Sequence, residues 1–201
     1  GVRDALAAAP SVSNPCGVTI YGELVHNEQV LVQLQQRGFQ NCNETDRASL
    51  PTTGSVLITA HGVSDHTRRR FTDARLNVID TTCPLVRRVH LAARQLVLEK
   101  RHLIIIGKPG HVEVLGIVED FPDASVWAVP DALTATGHAR LGVIAQSTTR
   151  PDVADAVLQR IHATHPAADI RWIDTICQPT RDRQDAVETL LSRVTILVVV
   201  G

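Results

Sequence analysis

Short apolar runs without polar alternation recur along the chain, and a segment with helical periodicity follows each one. Leu103–Ile106 is the clearest of these runs, and Ser55–Ala60 and Leu141–Ala145 are similar. A strand that is apolar on both sides must be covered on both faces of its sheet, which is typical of parallel sheets with helices on either face. The alternation of strands and helices therefore predicts the α/β class.

Composition and charge narrow the possible partners. The 201 residues carry a formal net charge of −1, and only 3% of them are aromatic. A nucleic-acid or membrane-surface partner would require a basic face, so neither is expected. Because no apolar run approaches the roughly 18 residues of a membrane-spanning helix, and no signal-peptide pattern is seen, we expect a cytoplasmic protein.

The chain has the features of an excerpt from a longer protein. It contains no methionine, and the apolar run Val194–Val200 lies at its very end. That run predicts a buried strand. We therefore expect further residues of the protein on both sides of this sequence.

Two cysteines follow the same short motif. The segment Ile79–Pro84 reads IDTTCP, and Ile173–Cys177 reads IDTIC. Each predicts the end of a buried strand, then a cysteine, then the start of a helix, with Pro84 at the first helical position. The free N–H groups and the positive end of a helix dipole favour a thiolate there. Cysteine often serves only as a buried packing residue, but the repetition favours a metal ligand or a nucleophile.

The identity of a bound metal stays open at this point. Zinc would require four nitrogen or sulfur ligands, which two cysteines and histidines could supply, whereas an iron–sulfur cluster would require further thiolates. Cys16 and Cys42 lie in turn-like sequence and are interpreted as loop thiols. The absence of C-x-x-C spacing argues against a disulfide framework or a zinc knuckle.

The turns after the predicted strands carry histidine and hydroxyl side chains. They are His26, His61, His111, Ser147, Thr148 and Thr149. Each of these three histidines precedes or opens a helix, where an anion could be held, so the turns predict an anion pocket. The other six histidines are expected to be solvated, and Thr180 is expected to cap the last helix. Glu113 could stabilise the first turn of its helix or act as a general acid.

Six blocks of the chain, in order, resemble the signature motifs of the 4-hydroxy-3-methylbut-2-enyl diphosphate reductase family, also called IspH or LytB. The blocks are Val25–Asn27, Ala60–Ser64, Thr82–Val86, Gly110–Val114, Gln146–Thr148, and Ile176–Cys177 with Arg183–Val187. One block alone would be weak evidence, but six in the family's order cover nearly the whole chain.

The resemblance implies a cloverleaf of three α/β lobes with mostly parallel sheets around a central cavity. The lobes would span residues 1–84 and 85–175, with an incomplete third lobe at 176–201. In this family each lobe gives one cysteine to a 4Fe-4S cluster. Cys83 and Cys177 match the second and third ligands, and the first is expected just before Gly1.

The resemblance also implies the reaction, which is the reductive dehydration of 4-hydroxy-3-methylbut-2-enyl diphosphate to isopentenyl and dimethylallyl diphosphates in isoprenoid biosynthesis by the methylerythritol phosphate pathway. An electron donor such as ferredoxin or flavodoxin would be the partner. The matching residues are His26, His61 and His111 for the diphosphate, Glu113 for the proton, and Ser147 with Thr148 as the hydroxyl pair.

Three departures from the family pattern are visible. Gly107-Lys108 stands where a Gly-His pair is usual, and Ser147 stands where threonine is usual. The family's Ser-x-Asn diphosphate motif is expected after Gly201. Two alternatives to the reductase remain: a catalytically silent paralogue or metal-binding module on the same scaffold, and a zinc-dependent hydrolase.

Overall fold

The computed structural model describes residues 12–22, 24, 27–42, 47, 49–130 and 135–199. These residues form eight strands and six α-helices. In chain order they are β1 (Val18–Tyr21), α1 (Glu28–Gln36), β2 (Gln40–Cys42), β3 (Ser55–Ile58), α2 (Asp65–Asp73), β4 (Asn77–Asp80), α3 (Pro84–Leu98), β5 (His102–Ile106), α4 (Val112–Asp120), β6 (Ser125–Trp127), β7 (Arg140–Ala145), α5 (Pro151–Thr164), β8 (Asp169–Trp172) and α6 (Gln178–Leu191).

The chain divides into two compact units. The first comprises residues 1–91 and 110–122, and the second comprises residues 92–109 and 123–201. Each unit contains one four-stranded sheet whose strands are all parallel, in the order β2-β1-β3-β4 and β6-β5-β7-β8. The predicted α/β class with parallel sheets is therefore confirmed, and the two units share one strand order.

Both faces of the sheets are covered, as the unalternated apolar runs predict. In the first unit, Ile20 and Leu57 belong to a buried cluster that includes α1, whereas Val56 and Ile58 belong to another that includes α2. In the second unit, alternate residues of β5 and β7 pack against α5. Among the described residues, no helix has the length and hydrophobicity that crossing a membrane requires.

The strands that lead to the two cysteines are not buried, which corrects the prediction. β4 and β8 are the last strands of their sheets, and their side chains are half-buried or exposed. A strand at a sheet edge has a neighbour on one side only, so its side chains keep more contact with water.

The predicted buried strand at Val194–Val200 is also wrong over the residues described there, 194–199. This segment pairs with none of the eight strands, and Ile196 and Val199 are 79% and 84% exposed. An apolar run becomes a strand only where a neighbouring strand accepts its backbone hydrogen bonds.

Two side chains cap helices of the first unit. The Asn27 side chain accepts a hydrogen bond from the N–H of Val30 at 3.2 Å, and the Ser64 hydroxyl accepts one from the N–H of Thr67 at 2.8 Å. These caps fix where α1 and α2 begin, directly after the turns that carry candidate site residues.

Gly142 of β7 provides a test of how closely α3 packs on the second sheet. A Cβ at this position would lie 2.8 Å from the Cβ of Leu96 and 3.0 Å from its Cδ2. Because the Leu96 Cβ is fixed to the helix backbone, we expect Gly142→Ala to lower the free energy of unfolding by about 1–3 kcal/mol through overpacking. Urea denaturation of both proteins measures the difference.

Gly54→Ala is the matched control, because no heavy atom lies within 4 Å of a Cβ built there. We expect its urea midpoint to stay at the wild-type value. Equal midpoints for Gly142→Ala and wild type would contradict the close packing of Leu96 on β7.

Candidate functional site

The first unit brings two of the predicted histidines together. The ring centroids of His61 and His111 lie 5.7 Å apart, with the rings nearly perpendicular. His61 lies in the turn between β3 and α2, and His111 is the N-cap of α4, where its Nδ1 accepts a hydrogen bond from the N–H of Glu113 at 3.2 Å. The pair therefore lies at a helix N-terminus, an environment that favours an anion.

Glu113 lies in the first turn of α4 and is buried, with only 1% of its surface exposed. A carboxyl group that serves only the helix dipole can remain in water. Burial is costly for a charged carboxylate that lacks polar partners. Glu113 is therefore not a solvated first-turn residue.

Cys83 lies at the N-terminus of α3, as the sequence predicts. Its N–H donates to the carbonyl oxygen of Ala60 at 3.0 Å, and its own carbonyl accepts the first helical hydrogen bond, from the N–H of Arg87 at 3.0 Å. Cys83 is therefore the N-cap residue of α3, and it is half-buried.

Cys177 occupies the equivalent position in the second unit. It is the N-cap of α6, and its N–H donates to the carbonyl oxygen of Ser147 at 2.9 Å. The helix begins at Gln178, so the predicted cap Thr180 is wrong: Pro179 suits the first turn and lets the helix start earlier. Thr180 instead places its hydroxyl 3.1 Å from the sulfur of Cys177.

The aspartate of each I-D-T-x-C motif explains why both turns fold alike. An Asp80 carboxylate oxygen accepts from the N–H of Thr82 at 2.9 Å, and Asp174 accepts from the N–H of Ile176 at 3.1 Å. This short-range hydrogen bond reverses the chain after the strand. The threonine that follows each aspartate donates its hydroxyl to the last carbonyl of the neighbouring strand, at 2.5 Å in both units.

One residue of each cysteine turn, an arginine, was not predicted from the sequence. Arg87 donates to Asp80 at 2.8 Å, and Arg181 donates to Asp174 at 2.5 Å. Each arginine lies seven residues after its aspartate and four after its cysteine, about one turn into the helix that the cysteine caps. This repeated spacing was the available signal.

The hydroxyl pair lies in the second unit, in the turn after β7. Ser147 is buried and its carbonyl binds the Cys177 N–H, so this turn and the cysteine turn are directly connected. Thr148 is exposed, and its hydroxyl oxygen accepts from the side-chain amide of Gln146 at 2.8 Å. The side-chain oxygen of Gln146 accepts a hydrogen bond from the N–H of Lys108 at 3.0 Å.

Other predicted positions have different outcomes. His26 lies outside the described residues. One histidine that we predicted to be solvated is buried: His165 is 7% exposed and accepts from the N–H of Thr136 at 2.9 Å, whereas His90 is half-buried. Burial lowers the pKa of His90 below its ordinary value of 6.5 because the charged ring loses solvation.

Within the described ranges, no three histidine, cysteine or acidic side chains form a group that could hold a metal ion. All four cysteines lie in these ranges and none is in a disulfide. Cys83 belongs to the first unit and Cys177 to the second.

Comparison with known proteins identifies relatives along the whole chain. The family described as LytB protein matches residues 1–201. The 4-hydroxy-3-methylbut-2-enyl diphosphate reductase of Rhodopirellula baltica is 34% identical over 92% of this chain and 58% of its own length. That of Ralstonia nicotianae is 33% identical over 100% of this chain and 63% of its own length. The chain thus spans about three fifths of these curated relatives.

Two solved structures share the fold. The E-1-hydroxy-2-methyl-but-2-enyl-4-diphosphate reductase of Plasmodium falciparum superposes with a TM-score of 0.78 at 24% identity, covering 96% of this chain and 60% of that one. A second, titled (E)-4-hydroxy-3-methyl-but-2-enyl diphosphate reductase, the terminal enzyme of the non-mevalonate pathway, has a TM-score of 0.75 at 26% identity, covering 96% and 69%. The architecture of the chain is that of these enzymes.

Asp80 gives a test of the cysteine turn. Partial burial alone would raise its pKa, but the hydrogen bonds from Thr82 and the charge of Arg68 lower the pKa below its ordinary value of 3.8. The carboxylate therefore stabilises the fold above about pH 4, and this contribution is lost as the pH falls through the lowered pKa. We expect Asp80→Asn to cost about 1 kcal/mol at pH 7.

Urea midpoints of wild type and Asp80→Asn, measured from pH 7 downwards, check this expectation. The gap between them should be constant to about pH 5 and close below about pH 4. Asp155→Asn, an exposed position on α5, is the control and should follow wild type throughout. A gap that is the same at pH 3 and pH 7 would show that the charge of Asp80 contributes nothing.

Proposed function

Because the chain belongs to the LytB protein family, we propose that it carries out the reaction of 4-hydroxy-3-methylbut-2-enyl diphosphate reductase, the reductive dehydration of this allylic diphosphate to isopentenyl and dimethylallyl diphosphates. The observation that carries the proposal is the repeated cysteine turn, in which Cys83 and Cys177 each cap a helix after an edge strand. If the two cysteines served only as packing residues, there would be no reason for both turns to be held by the same hydrogen bonds.

Both cysteines fit an iron–sulfur centre. Each cysteine is half-buried and is the N-cap residue of a helix, and a helix N-terminus is an environment that suits a negatively charged sulfur ligand. We propose that Cys83 and Cys177 would be two of the ligands of a 4Fe-4S cluster. We also propose that the three lobes span residues 1–84, 85–175 and 176–201. When bound, the cluster supplies electrons and a Lewis-acidic iron.

The diphosphate would be bound by His61 and His111, with His26 as a third ligand. The first two rings lie 5.7 Å apart, close enough for both to donate to one diphosphate group. The N-terminus of α4, which His111 caps, adds the positive end of a helix dipole. The substrate would thus be held through its charged end, leaving its hydroxyl to the reacting groups.

Glu113 would supply the proton. Its buried carboxyl group follows His111 by two residues and so lies near the proposed diphosphate site. Protonation of the substrate hydroxyl turns a poor leaving group into water, and burial keeps bulk solvent from competing for the proton. Ser147 and Thr148 would orient the substrate hydroxyl by hydrogen bonding, and the Gln146 amide fixes the rotamer of Thr148.

The reaction consumes electrons, so the protein needs a reducing partner. We propose a small electron carrier such as ferredoxin or flavodoxin, and a cytoplasmic location where such carriers and the diphosphate substrate occur together. The acidic and basic residues nearly balance, at 21 and 20, so this partner would be recognised by local complementarity and not by overall charge.

Substitution of Glu113 separates cluster binding from turnover. We expect Glu113→Gln to keep the iron and sulfide content of the anaerobically purified protein and to reduce turnover by at least about 100-fold, because general-acid catalysis contributes roughly that much. Glu188→Gln, an exposed change on α6, is the control and should retain wild-type turnover. Wild-type rates in Glu113→Gln would remove this residue as the proton donor.

The cysteines give the complementary test. We expect Cys83→Ser and Cys177→Ser to lose the brown colour and the bound iron, and Cys16→Ser, at an exposed loop thiol, to keep both. Absorption spectra with iron and sulfide analysis measure this. A colourless wild-type protein containing zinc would instead support the zinc-dependent hydrolase, and a brown protein that does not turn over the diphosphate would indicate a silent paralogue.

A further inference from the structure

We propose that Glu119 and Asp120, at the end of α4, are positioning residues that hold His61 at the correct distance from His111. This inference rests on the proposed function, because it concerns the histidines assigned to the diphosphate. Neither acidic residue belongs to the motifs that identify the site. Their role follows from the contacts that they make with the start of α2, all of which lie inside the first unit.

The two carboxylates bind the N-terminus of α2. Asp120 accepts hydrogen bonds from the N–H groups of Asp65 at 2.8 Å and His66 at 3.0 Å. Glu119 accepts from the Thr67 hydroxyl, 3.1 Å from each of its oxygens, and from the Ser64 hydroxyl. The Ser64 hydroxyl in turn caps the N–H of Thr67. The N–H groups at the start of α2, which usually need a cap from a neighbouring residue, are therefore hydrogen-bonded by a side chain of α4.

The placement of these carboxylates is unfavourable for their own helix. Glu119 and Asp120 are the last two residues of α4, where the negative end of the helix dipole repels acidic side chains. At the positive end of α2 the same charges are favourable. A sequence that breaks a local rule in this way gains something elsewhere, and here the gain is a fixed joint between two helices.

The joint connects the two histidines. Ser64, at one side of the joint, ends the short turn that carries His61, and α4 begins directly after His111. Because α4 is a single rigid helix of nine residues, any shift of its last turn against α2 is transmitted to its first turn. The carboxylates thus set the separation of the two rings.

Close packing supports this joint at the middle of α4. A Cβ built on Gly116 would lie 3.6 Å from the backbone nitrogen of Ser64 and 3.7 Å from the carbonyl carbon of Val63. The helix therefore lies directly against the turn that leads away from His61. Contact at this point and hydrogen bonds at the end of the helix leave α4 little freedom to slide or rotate.

The test measures binding of inorganic pyrophosphate to the anaerobically purified, iron-loaded protein by calorimetry, together with steady-state turnover. We expect the double variant Glu119→Ala/Asp120→Ala to bind pyrophosphate about 10-fold more weakly and to lose about 10- to 100-fold in kcat/KM, since small misplacements of binding groups have effects of this size. Glu119→Gln/Asp120→Asn keeps oxygen acceptors at both positions and should recover part of the affinity.

Leu34→Ala is the control for a general loss of stability. Leu34 is buried on α1 in the other hydrophobic cluster of the first unit, which contains no residue of the joint. We expect this variant to lower the urea midpoint and to keep wild-type affinity for pyrophosphate. If the double alanine variant fails to fold, the single variant Asp120→Asn carries the same test, with a smaller loss of affinity expected.

Three results would overturn the proposal. If wild type binds pyrophosphate and the double alanine variant binds it equally well, the positioning role is wrong and the diphosphate site stands. If Leu34→Ala weakens binding as much as the double variant does, the effect is one of stability alone. If wild type does not bind pyrophosphate, the proposed diphosphate site fails, and the positioning role fails with it.

Discussion

The hydrogen bond from a backbone N–H to an aspartate carboxylate, made once in each unit, determines where the cysteines lie. Asp80 and Asp174 lie at or just after the end of a partly solvated edge strand and turn the chain into a helix whose N-cap is the cysteine. An arginine about one turn into that helix donates to the other oxygen of the same carboxylate. Because sheet, turn and helix meet at one charged group, the thiol is fixed by contacts that do not involve its own sulfur.

Parallel strands supply the second constraint. All four strands of a parallel sheet end at the same edge, so the turns that follow them share one side of each unit. In the first unit His61 lies at this edge, after β3, and α4 places His111 beside it and leaves Glu113 buried. In the second unit this edge connects the Ser147 turn to Cys177. The strand interiors contribute packing, and the turns contribute the chemistry that the proposed reductase uses.

Local sequence patterns predicted the strands and the cysteine turns. They failed where a structural feature depends on residues that are distant in the sequence. Leu103–Ile106 was correctly identified as a strand because its apolar character is sufficient, but Val194–Val199 has the same character and no neighbour to pair with. The cysteine turns were found because the motif I-D-T-x-C is short and occurs twice in the chain. Glu119 and Asp120 went unnoticed because their partners on α2 lie more than fifty positions away, and no spacing rule connects them.

The shared strand order of the two units has a consequence for how such a protein changes. Equivalent turns in the two halves hold different side chains: His61 follows β3, whereas Ser147 and Thr148 follow β7. The cysteine turns, by contrast, are alike. The repeated strand order allows the two cysteine turns to stay alike while the turns after β3 and β7 differ. The turn after β3 carries an imidazole, and the turn after β7 carries neutral hydroxyl groups. Because the matched turns follow equivalent strands, a side chain moved from one turn to the other would be placed on an equivalent strand end. Such exchanges would change which ligand each unit binds while keeping the sheet that supports the turn.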